Sequence, residues 1–242
     1  MAVGQLYKMS FVTNFFKKIY YDKYSKKSYS ISNVDLIIDR IFKDISKGIY
    51  IDVGCNHPIK FNNTYLLYKR GWHGINVDTD STAINLFNKM RKNDHNVNCI
   101  VSDKEELKEL YFYHERSAIN TLSKDLVDSR KTKPREIIKK QSTTLNKIIE
   151  KSPFYESKIN LLSIDIENHE YEALKNFNFL KYKIDVIVTE CIDLTQKKLE
   201  MYNKSLNFIM SSNIYQLLLN NNYKLINWVQ SDLIFVRNDF EA

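Results

Sequence analysis

A short apolar run that stops at a glycine, followed by a helix-length segment and a second apolar run, constrains this chain more than any other feature. Ile49-Tyr50-Ile51-Asp52-Val53 is too short for a helix and reads as a buried strand. It ends at Gly54, where the lack of a side chain lets the backbone turn tightly or approach a ligand closely. A helical segment follows from about Asn63 to Arg70. Gly71 and Gly74 then bracket a turn into Ile75-Asn76-Val77, a second strand that closes on Asp78. In open α/β sheets small ligands bind beyond the carboxyl ends of such strands, and an acid there can hold a ribose diol.

The rest of the chain extends this unit. Upstream, Ser32-x-x-Asp35 resembles a capping box with Asp in place of Glu. It precedes a helix with Val34, Ile37, Ile38, Ile41, Phe42 and Ile45 on one face. Downstream, a helix is expected over Thr82 to Lys92 and a third strand over Val97 to Val101, ending at Ser102-Asp103. Leu110 to His114 and Lys139 to Thr143 read as shorter strands around a charged connection from Lys124 to Arg135, and Thr144 to Lys151 as a short helix. Ile159 to Ile164 is another strand, running into Asp165-Ile166-Glu167-Asn168-His169-Glu170. A helix from Tyr171 to Asn176 leads to a strand over Ile184 to Val188 that ends at Glu190. Polar helical sequence continues to Asn222, with Leu199, Leu206, Ile209, Leu218 and Leu219 as its buried positions. Tyr223 to Trp228 and Leu233 to Val236 are close enough to form an antiparallel hairpin. Alternating strands and helices predict the α/β class, a mostly parallel sheet with helices on both faces, closed by that hairpin.

At 242 residues, with only five Gly and three Pro, the chain has little room for flexible linkers. The expected organisation is one domain over 32–242, preceded by a basic aromatic extension over 1–31. Within that extension Phe11 to Ser30 mixes aromatics with lysines, which suits packing on the domain or, alternatively, a peripheral contact with a membrane surface. No apolar run approaches the roughly 18 residues of a membrane span, and no export signal is visible. The expected address is the cytoplasm, with the inner face of the membrane as the alternative. Cys55, Cys99 and Cys191 are odd in number and widely spaced, which points to core residues in a reducing compartment. The net charge of +7 reads first as a solvated basic surface, and second as attraction to phosphate-bearing partners.

The first turn lacks the G-x-G-x-x-G of dinucleotide enzymes, and no G-x-x-x-x-G-K-[ST] occurs. Gly54 alone, followed by Cys55, Asn56, His57 and Pro58, still allows a ligand without pyrophosphate, because fewer backbone amides are then needed. S-adenosylmethionine is such a ligand. Asp52 would help to hold its ammonium through water or backbone, Asp78 its ribose hydroxyls, and Ser102-Asp103 its adenine.

Several segments taken in order resemble the FkbM-type S-adenosylmethionine-dependent methyltransferases. They are Asp52-Val53-Gly54-Cys55-Asn56 with Pro58, Asn63-Thr64-Tyr65 with Tyr68, and Gly71-Trp72-His73-Gly74-Ile75-Asn76-Val77-Asp78. Further along come Asn120-Thr121-Leu122-Ser123, Thr144-Leu145, and Leu162 through Glu170. The resemblance covers roughly Ile49 to Val236 and implies a Rossmann-like class I methyltransferase fold. It implies S-adenosylmethionine as cofactor, with Asp52, Gly54, Cys55, Asn56, Asn63, Thr64, Asp78, Ser102 and Asp103 on the cofactor side. It also implies methyl transfer to a hydroxyl, most often of a sugar or polysaccharide precursor. Three positions depart from the family pattern: Ser163 stands where Lys is common, Asn168 where Gly is, and Thr79 where Pro is.

Methyl transfer from a sulfonium needs chiefly an acceptor held in line, so orientation supplies much of the rate. A hydroxyl acceptor must also lose its proton, to a His, Asp or Glu within reach. Asp165, Glu167 and His169 alternate along the exit of the fourth strand and are the candidates, with neighbouring carboxylates expected to raise the imidazole pKa. The same carboxylates with Glu190 offer oxygen ligands for a divalent cation. No Asn/Asp-Pro-Pro-aromatic turn follows that strand and no appended basic domain is present, so a nucleic-acid partner is not expected.

Overall fold

The structure, a computed structural model, describes residues 13–17, 20, 25–192 and 205–241. Its centre is a seven-stranded sheet of order β3-β2-β1-β7-β8-β10-β9. The strands are β1 (Ile49–Val53), β2 (His73–Asp78), β3 (His95–Asn98), β7 (Leu161–Ile164), β8 (Val186–Glu190), β9 (Tyr223–Val229) and β10 (Asp232–Arg237). From β3 to β8 all pairings are parallel, while β10 runs antiparallel to both β8 and β9. This is the mixed α/β, Rossmann-like arrangement with a closing hairpin. The hairpin inserts its second strand between β8 and β9. That order follows the apolar content of the two strands: Leu233, Ile234, Phe235 and Val236 of β10 are all buried, whereas β9 exposes Ile226 and other positions at the edge.

Helices cover both faces. On one, Val34, Ile38 and Phe42 pack with Trp72, Tyr50, Leu67 and the outward-facing sides of β7, β8 and β10. On the other, Leu145, Ile148, Ile149, Leu174, Ile209 and Leu218 pack against Ile51, Val53, Ile75, Leu162 and Ile164. The strand residues therefore divide between two cores by alternation, and both faces of β1 and β7 are buried, as expected for central parallel strands.

Local chemistry corrects several expectations. The first helix, Val34–Ile41, begins after Asn33 in the left-handed region without a side-chain cap, so Ser32 and Asp35 do not form a capping box. Ser32 instead donates to Asp232, and Asp35 gathers Ser28 Oγ at 2.6 Å, Tyr29 N at 2.6 Å and Ser30 Oγ at 3.0 Å. Residues 28–30, assigned to the extension, are thereby tied to the domain. Phe15, Phe16 and Tyr20 further upstream are exposed. The expected third strand is two: β3 stays in the main sheet, and after Cys99 the chain passes into β4 (Ile100–Val101), which pairs with β6 (Glu136–Thr143). Antiparallel to β6 runs β5 (Leu107–Phe112), giving a small second sheet of order β4-β6-β5. The charged connection between β5 and β6 contains a helix, Lys124–Ser129, capped by Ser123. The polar helical region resolves into Leu206–Ser211 and Asn213–Asn220, with Ile209 and Leu218 buried but Leu206 and Leu219 exposed. Leu199 lies outside the described residues. All three cysteines are free; Cys55 and Cys191 are buried, and Cys99 is partly exposed. No helix among the described residues is long and apolar enough to cross a membrane.

Candidate active site

Beyond the carboxyl ends of β1, β2, β4 and β7 lies a cavity of about 550 Å³, part of it open to solvent. Its base is formed by Val53, Gly54, Val77 and Asp78, one side by Cys99, Ile100, Val101 and Leu110, and the other by Asp165, Ile166 and Glu167. Ser117, Ala118, Asn120, Thr121 and Leu122 of the β5–β6 connection complete its lining.

Gly54 makes this geometry possible. Its φ is +80°, and a Cβ built there would lie 1.8 Å from the carbonyl oxygen of Asp165. The turn after β1 therefore presses directly on the exit of β7, and the Gly54 N–H donates to Val77 O at 2.9 Å. Asp78 sits beside it. Its Oδ2 accepts from Asn56 N and its Oδ1 from Asp80 N, each at 2.8 Å. Burial pushes the Asp78 carboxyl up to about 6 despite those two donors.

The residues expected on the cofactor side divide. Gly54, Asn56 and Asp78 line the cavity. Asp52 does not: it is buried beneath the 55–64 loop, where it accepts from Asn62 Nδ2 at 2.9 Å and Thr64 Oγ1 at 2.8 Å. Strand alternation explains this, since Val53 and Gly54 reach the cavity while Asp52 points to the opposite face. Thr64 is fully buried in the same network, and Asn63 donates to Ser163 Oγ at 3.1 Å. Cys55 packs against Ile84 and Phe87. Ser102 is buried against His169, and Asp103 is drawn away by Lys175 at 3.0 Å. The apolar wall comes from Ile100, Val101 and Leu110 instead, because the sheet switch at Cys99 places them there.

Among the candidate bases, Asp165 and Glu167 face the cavity and His169 does not. The expected alternation fails because Glu167 and Asn168 both have positive φ, 58° and 70°, which turns the chain before His169. The His169 Nε2 lies 3.1 Å from Ser102 Oγ. Its pKa is lowered to about 4, by burial first and by Lys108 second, opposite to the rise expected from neighbouring carboxylates. The imidazole is neutral and structural. Asn168 suits this turn, because asparagine tolerates the left-handed region. Asn168→Gly is expected to keep stability within about 1 kcal/mol, whereas Asn168→Val should cost about 1–2 kcal/mol for its branched side chain in that region. Denaturant unfolding of both variants checks this, and equal stability of the valine variant would contradict it.

A model of the methyltransferase FkbM domain matches residues 52–225. The chain belongs to the FkbM methyltransferase family. No curated protein and no solved structure matches it. The family match spans the cavity-forming turns, the small second sheet and the β7 exit, and this FkbM protein is a methyltransferase.

Three basic residues of this FkbM chain, Arg91, Arg130 and Lys140, matter here and escaped the sequence. Arg91 is fully buried under the first turn, donating to Thr64 Oγ1 and Asn62 Oδ1 at 2.8 Å and to the Pro58 carbonyl at 2.6 Å. Arg130 ion-pairs with Glu167 and donates to Ile119 O at 2.7 Å, fastening the 117–122 segment to the cavity wall. Thr121 Oγ1 adds a bond to Glu167 O at 2.7 Å. Lys140 reaches across from β6 to Thr79 O at 2.7 Å and braces the Asp78 turn. Apart from Arg130 and Ile119, 11 residues apart, each of these pairs is separated by 27 or more residues, and single basic residues in a lysine-rich sequence carry no local signal.

Proposed function

We propose that this FkbM methyltransferase transfers a methyl group from S-adenosylmethionine to a hydroxyl oxygen of a sugar-bearing acceptor. The observation that carries the reading is a single cavity holding a bare-backbone turn at Gly54, a fixed acid at Asp78 and an acidic pair, Asp165 and Glu167, on its far side. Those features fit two parts of the cofactor and the acceptor. Asp78, oriented by two backbone donors, is placed for ribose hydroxyls; Ile100, Val101 and Leu110 offer an apolar face for a base; and the carboxylates stand on the acceptor side. A Cβ at residue 54 would collide with the Asp165 carbonyl oxygen at the cavity's edge.

When bound, the cofactor supplies an electrophilic methyl carbon whose bond to sulfur breaks with the electron pair left on sulfur, as a new bond to the acceptor oxygen forms. The protein's share is to orient and to take a proton. The segment over 117–122, fastened by Arg130 and Thr121, restricts water and holds the acceptor over the cavity. The hydroxyl proton passes to the Asp165–Glu167 pair. Loss of solvation raises the proton affinity of Asp165, with the charges of Glu190 and Glu167 adding to it, whereas the Arg130 guanidinium opposes the rise at Glu167. A sugar acceptor follows from the family's usual chemistry and from the polar residues Ser117, Asn120 and Thr121 that face the cavity.

Calorimetric titration with S-adenosylmethionine tests the cofactor. Binding is expected at neutral pH and should weaken as pH falls through about 6, because the ionised Asp78 carboxylate is the hydroxyl acceptor. The limit is about tenfold per pH unit. The sign for stability is opposite. A carboxyl raised in the fold stabilises it below the unfolded pKa, and that contribution disappears as pH rises through about 6. Asp78→Ala should cost about 1.5–3 kcal/mol of binding and flatten the pH dependence; unchanged affinity would place the ribose elsewhere. Labelled cofactor offered with nucleotide sugars, glycolipids and RNA then tests the acceptor, and label in RNA alone would overturn the sugar reading.

A further inference from the structure

The proton-accepting pair does not account for two further acids at the same end of the sheet. Glu190 terminates β8, the strand next to β7, and Glu170 opens the helix that follows the β7 exit. One carboxylate oxygen from each of Asp165, Glu170 and Glu190 lies within 4.8 Å of the others. Such a group is common without a ligand, so a separate observation decides what it is for. Glu190 Oε2 is enclosed by protein and has no hydrogen-bond partner. An enclosed carboxylate oxygen lacking a donor is costly, and it stands beside the carboxylates of Asp165 and Glu170. No Lys or Arg among the described residues ion-pairs with any of the three, since Arg130 is committed to Glu167.

We propose that Asp165, Glu170 and Glu190 bind a hard divalent cation of the Mg²⁺ or Mn²⁺ class at the acceptor end of the cavity. The donor set is all oxygen, with neither imidazole nor thiolate, which disfavours zinc and suits these ions. The ligands come from rigid positions. Asp165 follows the last residue of β7, Glu190 ends β8, and Glu170 is held by the Ile166 N–H donating to its Oε1 at 2.8 Å. Glu170 is buried and Glu190 partly buried, while Asp165 lines the cavity, so the open coordination positions face the acceptor. A hydroxyl bound there would have its proton loosened by the cation. Asp165 would then be occupied as a ligand, and Glu167, which lines the same cavity, would receive the proton. This inference rests on the methyltransferase reading for its purpose but not for its test.

Titration of the full-length protein with Mn²⁺ alone, followed by calorimetry and by the loss of the free-ion paramagnetic resonance signal, should show one saturable site per chain that Mg²⁺ displaces. Glu190→Gln and Glu170→Gln should each weaken it at least tenfold. In chelator, the Glu190→Gln variant should melt at or above the wild-type temperature, because one of three crowded charges is gone, and Mn²⁺ should raise the wild-type melting temperature but not the variant's. Absence of saturable Mn²⁺ binding by the wild type, or binding that both variants leave unchanged, overturns the proposal. S-adenosylmethionine titrated in chelator reads the cofactor independently. Cofactor binding without Mn²⁺ binding removes the cation and leaves the transfer reading standing, whereas Mn²⁺ binding without cofactor binding does the reverse.

Discussion

Gly54→Ala is expected to lower the melting temperature by about 10 °C and to abolish measurable cofactor binding. The added methyl would lie 1.8 Å from the Asp165 carbonyl oxygen and 3.1 Å from Ile166 Cγ2, so backbone rather than a flexible side chain must move. Residue 54 also has φ of +80°, where an L side chain is strained. Left-handed strain and overpacking together amount to about 3 kcal/mol or more, and at about 2–4 °C per kcal/mol for a chain of this size the shift follows. Relief by separating the β1 turn from the β7 exit would displace Asp165 and the N–H groups of the turn together, which is why binding should fail along with stability. Thermal unfolding and calorimetry on the same preparation test both halves. A variant with wild-type melting and affinity would show that the two turns are not in contact.

Arg91→Met should be nearly as damaging although it touches no ligand. Arg91 supplies the positive charge to a buried network in which Thr64 passes its hydrogen bond on to Asp52, and the Tyr50 hydroxyl, Asn62 Oδ1 and the Pro58 carbonyl also accept from the guanidinium. Burial raises the Asp52 pKa and Arg91 opposes that rise. Removing the cation leaves an uncompensated buried carboxylate, a loss of about 3–5 kcal/mol at neutral pH. The sign of the pH dependence is fixed by the same linkage. A carboxyl raised in the fold favours the native state when protonated, so the deficit of the variant should shrink as pH falls and grow as it rises. Denaturant unfolding at several pH values measures this, and Asp52→Asn combined with Arg91→Met should recover part of the loss. A deficit independent of pH, with no recovery in the double variant, would mean that Arg91 acts only by filling space.

Much of the fold is legible in local sequence because its parallel strands are short apolar runs separated by amphipathic or polar stretches. The run ending at Gly54, the run ending at Asp78 and the closing pair near the C-terminus each carry their own periodicity. The break at Cys99 was not legible, since Val97 to Val101 is one uninterrupted β-forming stretch and only pairing with β6 divides it. The helix over Lys124–Ser129 was hidden for a different reason: six residues in a charged connection give too little periodicity to register.

The candidate site follows the same division. Its acidic inventory, Asp78, Asp165, Glu167 and Glu190, stands at the ends of strands and can be read from the chain, as can the single glycine that excludes a dinucleotide cradle. Which of those groups meet is a tertiary matter. Asp52 lies two residues from Gly54 yet points to the opposite face of β1, and His169 lies two residues from Glu167 yet is turned away by two successive positive φ angles. Glu190, a strand away, comes within 4.8 Å of Asp165 and Glu170 because β7 and β8 are paired in register. The sequence by itself determined the strand-glycine-acid unit and the family. The tertiary structure decided which carboxylates share a space, because side-chain direction depends on strand alternation and turn dihedrals, and proximity on sheet register.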